Sequence, residues 1–122
     1  MLKDITVGDR SHARERLIEE IREYLHRVHV EEAMLYGSYA RGDERRYSDA
    51  DLILISPRFE GVRFLDRLPP LYLEWRLVRP PIEPLAYTPE EFEEARQKLG
   101  IERIAYREGI RIKAADETDG ES

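Results

Sequence analysis

Four residues in one short segment are of types suited to handling a phosphorylated substrate. They are Gly37, Ser38, Asp49 and Asp51, within GSYARGDERRYSDADLILIS at residues 37–56. Glycine at 37 lets the backbone turn tightly and brings its amides close to a ligand. Ser38 supplies a hydroxyl where SYARG can open a short helix, and the amides at such a start attract phosphate. Arg41 lies one helical turn further on, placed either to neutralise phosphate charge or to bridge to an acid. Asp49 and Asp51 are two apart at the start of an apolar run, so on a strand both carboxylates leave the same face. Carboxylates that must stay charged together suit a divalent cation, and Mg²⁺ takes oxygen ligands while sharing its shell with substrate phosphates. Two such ions about 4 Å apart would activate an attacking hydroxyl and stabilise a departing pyrophosphate. Glu83, in the next apolar run, is the candidate third carboxylate.

Each residue also has a plainer reading. Asp49 and Asp51 would be surface acids facing Arg41, Arg45 or Arg46, Ser38 a helix cap, and Glu83 a solvent-facing side chain between Ile82 and Pro84. Arg45, Arg46 and Tyr47 read as an exposed rim of the loop. His12, His26 and His29 fall on the surface of a helix, away from the carboxylates, and show no metal-binding spacing. Phe64 and Trp75 read as core or interface residues.

The elements that must hold these residues follow from periodicity. Leu17, Ile18, Ile21, Tyr24, Leu25 and Val28 recur at helical spacing, which predicts an amphipathic helix over 11–29 capped by Asp9 or Ser11. VEEAMLYG (30–37) reads as a strand ending at glycine, and ADLILIS (50–56) as a buried central strand stopped by Pro57. The stretch from 68 to 79 fits either period; helix is favoured, with Pro69 or Pro70 in its first turn and Pro80-Pro81 ending it. IEPLAY (82–87) is a strand whose Pro84 suits a sheet edge. Thr88-Pro89-Glu90-Glu91 carries a cap, a first-turn proline and a capping-box glutamate, so a helix is expected from there to about Leu99-Gly100. IERIAYRE gives a further short helix ending at Gly109, and IRIKA a last strand.

Bulk properties limit what else the chain can be. Its 122 residues fit one domain, expected over 1–114, followed by an acidic and mobile tail over 115–122. Charged residues reach 38%, against a usual share of roughly 25%. Of the 20 basic residues 17 are Arg, which fits either a hot environment or genome composition. The net charge of -6 argues against a general nucleic-acid binder, leaving no strong nucleic-acid signal. With no cysteine there is neither disulfide framework nor thiolate metal site. No leader-like or membrane-spanning apolar run occurs, so a soluble cytoplasmic protein is expected.

Gly37-Ser38, ten residues, then Asp49-Ala50-Asp51 resembles the signature of the DNA polymerase beta-like nucleotidyltransferase superfamily. The fuller string GSYARG…SDADL is similar to its minimal nucleotidyltransferases, and IEPLAYTPEEFEE resembles the strand with the third acid and the helix after it. Together these cover roughly residues 11–113. The resemblance implies an α/β (α+β) fold, a small mixed sheet flanked by helices, that binds a nucleoside triphosphate with two Mg²⁺ ions. Carried over, Gly37 and Ser38 hold the triphosphate with Arg41 beside them. Asp49 and Asp51 ligate metal, and Glu83 takes the third acid's slot, where many members have Asp. The implied reaction transfers AMP from ATP to a hydroxyl.

Many minimal nucleotidyltransferases are antitoxins paired with a helical nuclease toxin of the higher-eukaryote and prokaryote nucleotide-binding (HEPN) type, so the acceptor implied is a hydroxyl on such a partner. A binding module that neutralises its partner without catalysis is the alternative. Transfer to a small molecule such as an aminoglycoside is a third, for which the chain has no obvious extra domain.

Overall fold

The computed structural model describes residues 3–4, 10–45 and 48–115. The expected Asp9 cap, the loop residues Arg46 and Tyr47, and nearly all of the acidic tail lie outside them. In chain order the elements are β1 (Lys3–Asp4), α1 (Arg10–Arg27), β2 (Glu32–Tyr36), α2 (Ser38–Arg41), β3 (Ala50–Ile55), α3 (Leu68–Leu73), β4 (Leu77–Arg79), β5 (Ile82–Tyr87), α4 (Pro89–Ala95), α5 (Ile101–Glu108) and β6 (Ile110–Lys113). Two 3₁₀ turns, Pro57–Phe59 and Phe64–Arg67, join β3 to α3.

A four-stranded mixed sheet in the order β5-β3-β2-β6 organises these elements. β3 pairs antiparallel with β2 and parallel with β5, and β2 pairs antiparallel with β6. Because β3 is central, its side chains are covered on both faces, which accounts for an unbroken apolar run where a one-sided strand would alternate. On one face Ala33, Leu35, Leu52, Leu54 and Ala86 meet α1, whose Leu17, Ile21, Tyr24, Leu25 and Val28 are all buried as the spacing predicts. On the other face Met34, Ile53 and Ile55 meet Phe92 of α4 and Ala105 of α5. β5 is an edge strand, as Pro84 requires.

The ambiguous stretch after Pro57 holds both structures. α3 does carry Pro69 and Pro70 in its first turn, but it ends at Leu73 rather than at Pro80-Pro81. Leu77 then turns into the core, and β4 pairs in parallel with β1 at Lys3↔Leu77 and Asp4↔Arg79. That partner lies more than seventy positions upstream, so no local period could reveal it. Tyr24 holds α3 against α1 by donating its hydroxyl to Leu71 O at 2.8 Å, with its ring edge-on to Trp75. Burial pushes the Tyr24 phenol well above its ordinary range.

The Thr88 capping box forms as expected. Its hydroxyl accepts from Glu91 N and its own N–H donates to the Glu91 carboxylate. Glu91 also takes a bidentate bond from Arg67, at 2.6 and 3.1 Å. The buried Arg67 donates in addition to Val62 O and Ala86 O, tying the second 3₁₀ turn to β5 and α4. α4 stops at Ala95, short of the expected Leu99, and tight bonds from Gln97 N to Glu94 O and from Lys98 N to Ala95 O take over. Leu99, 90% exposed, has no core to join and so gives the helix nothing to extend toward.

Candidate active site

The hairpin from β2 to β3 sets the geometry. Tyr36 pairs with Asp51 across β2 and β3, and Asp51 pairs with Glu83 across β3 and β5. Side chains directly opposite each other on adjacent strands share a face. Tyr36, Asp51 and Glu83 therefore form a row across three strands, at one end of the face that carries Met34, Ile53 and Leu85.

Gly37 leaves the end of β2 with φ 76° and ψ −150°, a conformation nearly confined to glycine. A methyl group there would overlap Oδ2 of Asp51. The phosphate-handling candidate and the metal-ligating candidate thus share one van der Waals boundary, because the Asp51 carboxylate lies against the Gly37 backbone. α2 begins at once with Ser38, its first internal bonds running from Ala40 N and Arg41 N to Gly37 O. Amides ahead of those have no partner within the helix. Tyr39, buried in the core, pins the single turn, and Gly42 at φ 85° releases the chain from it. Arg45 and Ser48 exchange two bonds, at 2.8 and 3.0 Å, that fold the loop back toward β3.

Charge at this corner is lopsided. Burial raises the Asp51 carboxyl above its usual range, and the negative charges of Glu83 and Asp49 raise it further; Arg41 opposes them. Arg41 itself is exposed and pairs with Asp43 at 3.2 Å, so it serves as a bridge to an acid while still acting on Asp51. Two of the acids expected from the sequence, Asp49 and Glu83, are near enough to Asp51 for their charges to act on it. Asp49 sits just ahead of β3 and is exposed, Asp51 is half-buried, and Glu83 is exposed on β5.

Two residues here escape the sequence reading. The Tyr36 phenol is pushed up to about 12 by burial, then by Asp51, Glu83 and Glu102. Glu102 comes from α5, where it accepts a 2.5 Å bond from Tyr87 Oη. Alternation along β2 carried a signal for Tyr36, which lies two positions from Met34 and off the face of Ala33 and Leu35. Nothing local foretold that α5 would bring Glu102 over the same region.

For a divalent cation the donors are right in kind, being carboxylates on adjoining strands whose mutual repulsion a cation would relieve. Among the described residues no three such groups are already drawn to one point in metal-binding geometry. Asp49 and Glu83 are both exposed. No helix among the described residues is long and apolar enough to cross a membrane.

Comparison with known proteins bears on the family and the fold. The sequence profile of the nucleotidyltransferase domain matches residues 14–112. No curated protein matches the chain. A crystal structure of a Sulfolobus solfataricus protein described as a nucleotidyltransferase superposes with a TM-score of 0.58 and 18% identity, covering 84% of each chain. At that identity the likeness speaks for the fold, a sheet flanked by helices as in nucleotidyltransferases. The profile spans most of the chain, from α1 to β6, and includes every candidate site residue, so the protein belongs to the nucleotidyltransferase domain family.

Proposed function

We propose that the protein transfers AMP from ATP to a hydroxyl group in an Mg²⁺-dependent reaction. Bound at the carboxylates of Asp49, Asp51 and Glu83, Mg²⁺ would supply charge neutralisation at the phosphates. The acceptor oxygen forms its bond to the α-phosphorus while the bond from that phosphorus to the bridging oxygen breaks, and pyrophosphate leaves. Glu83, the exposed carboxylate at the rim, either completes the Mg²⁺ shell or takes the hydroxyl proton as base. Gly37 and Ser38 hold the triphosphate, and Arg41 adds positive charge beside it. The observation that supports this reading is the closeness of the Gly37 backbone to the Asp51 carboxylate, the two residues to which phosphate and metal binding are assigned.

The acceptor we assign is a hydroxyl on a partner protein, a helical nuclease toxin of the HEPN type, with this cytoplasmic chain as antitoxin. Incubation with α-labelled ATP, Mg²⁺ and the partner is expected to label the partner and release pyrophosphate. The double variant Asp49→Asn, Asp51→Asn should leave the fold intact and abolish labelling; undiminished labelling would sink the metal assignment. A second reading, a module that neutralises its partner by binding alone, is favoured by the lack of convergence among the three acids. A partner fully inhibited with no added nucleotide mass would support it over transfer.

A further inference from the structure

The geometry points to a second ligand site, at the far end of the same sheet face, that takes a small aromatic anion. It does not rest on the transfer reaction. The sheet face runs from the Tyr36↔Asp51 pair at the carboxylate end to the Glu32↔Ile55 pair at the other, four residues and roughly 13 Å along the strands. There β2, β6, α4 and α5 surround a cavity of about 640 Å³, within the usual range for small-molecule sites. Met34, Ile55 and Phe92 give it an apolar floor, and the ring of Tyr106 forms a wall.

Three arginines line the cavity: Arg96 just beyond α4, Arg107 on α5 and Arg111 on β6. Two of them are held in place. Glu93 engages Nε and Nη2 of Arg96 at 2.8 and 2.7 Å, and Glu32 engages the same two nitrogens of Arg111 at 2.9 and 2.6 Å. In both, Nη1 lies outside the pair. The Arg96 guanidinium is also stacked over Tyr106, 4.2 Å from the ring centroid. Arg107 belongs to neither pair. Three cations against two carboxylates give a positive spot in a chain of net charge -6.

A planar apolar body fits against the floor and the Tyr106 ring, and guanidinium nitrogens recognise carboxylate or phosphate oxygens. Arginines already fixed by glutamates lose little side-chain freedom when such an anion arrives. This end of the face therefore has the opposite character to the acidic end, where a lone anion would be repelled.

The test titrates 1-naphthyl phosphate and, separately, 1-naphthoate into the full-length protein without Mg²⁺, followed by amide NMR. Saturable shifts at Met34, Tyr106 and Gly109 are expected, and the tighter of the two probes identifies phosphate or carboxylate as the preferred anion. Arg107→Glu, at an exposed position, should weaken binding roughly tenfold or more while leaving remote amides unchanged. Arg107→Ala should weaken it less. Shifts absent at millimolar probe, centred on Gly37, Ser38 and Asp51, or insensitive to Arg107→Glu would overturn the assignment. Binding is read without nucleotide or turnover, so loss of the transfer reading would leave this result standing.

Discussion

Arg67 with Glu91 and Asp51 with Glu83 are two charged groupings that the same chain treats in opposite ways. Arg67 is buried, yet its guanidinium meets a carboxylate and two backbone carbonyls, and the Glu91 carboxyl is held below its usual range, chiefly by Arg67. Asp51 is half-buried with two acids for neighbours, and its carboxyl is pushed up. A charge kept for structure is paired by the chain itself. One left among like charges raises the free energy of the empty protein and is a candidate for function. The contrast sets the proposed chemistry at the β3–β5 pairing apart from a structural charge pair at the start of α4.

Substitutions should separate the two groupings. Asp49→Asn with Asp51→Asn is expected to cut label transfer on the order of 10³-fold, while thermal unfolding shows the fold as stable as before or slightly more so. Arg67→Met should do the reverse, costing about 2–3 kcal/mol in urea unfolding with turnover per folded molecule preserved. Comparable stability losses in both variants would erase the distinction. Gly37→Ala joins the two effects, since strain at its φ and overlap with Asp51 should cost about 1–3 kcal/mol and also lower transfer.

The pH dependence sharpens the comparison further. Glu91 is depressed, so its contribution is present above the unfolded carboxyl range near pH 4.5 and is lost as pH falls through its lower folded value. Asp51 is raised, so its penalty is present above its folded value and vanishes as pH falls toward the unfolded range. Measured against the parent, Arg67→Met and Asp51→Asn should therefore differ in stability with opposite signs at pH 7, and both differences should shrink toward zero as pH falls. The smallest effect belongs to Asp43→Asn. It frees Arg41 from an exposed pair and should change stability by less than about 0.5 kcal/mol.

Much of this was legible in the sequence because it is local. The α1 face, the β3 run and the Thr88 capping box are each written within one helix, one strand or four residues. The placement of Asp51 and Glu83 on neighbouring strands was legible too, since both short apolar runs read as strands, and they pair directly across β3 and β5. What the sequence concealed depends on distant partners. β4 is a strand because it returns to pair with β1, and α4 ends early because no core awaits Leu99. Glu102 reaches Tyr36 only through the placement of α5, which no periodicity encodes.

The central claim is that the acids at the β3–β5 edge are left uncompensated so that a cation bridges them to a nucleotide. Mn²⁺, which replaces Mg²⁺ as a paramagnetic probe, can be titrated with a non-hydrolysable ATP analogue and the free ion counted by electron paramagnetic resonance. The account predicts saturable uptake by the parent protein that requires the nucleotide and is lost in Asp49→Asn, Asp51→Asn. Equal uptake by both proteins, or none by either, would contradict it.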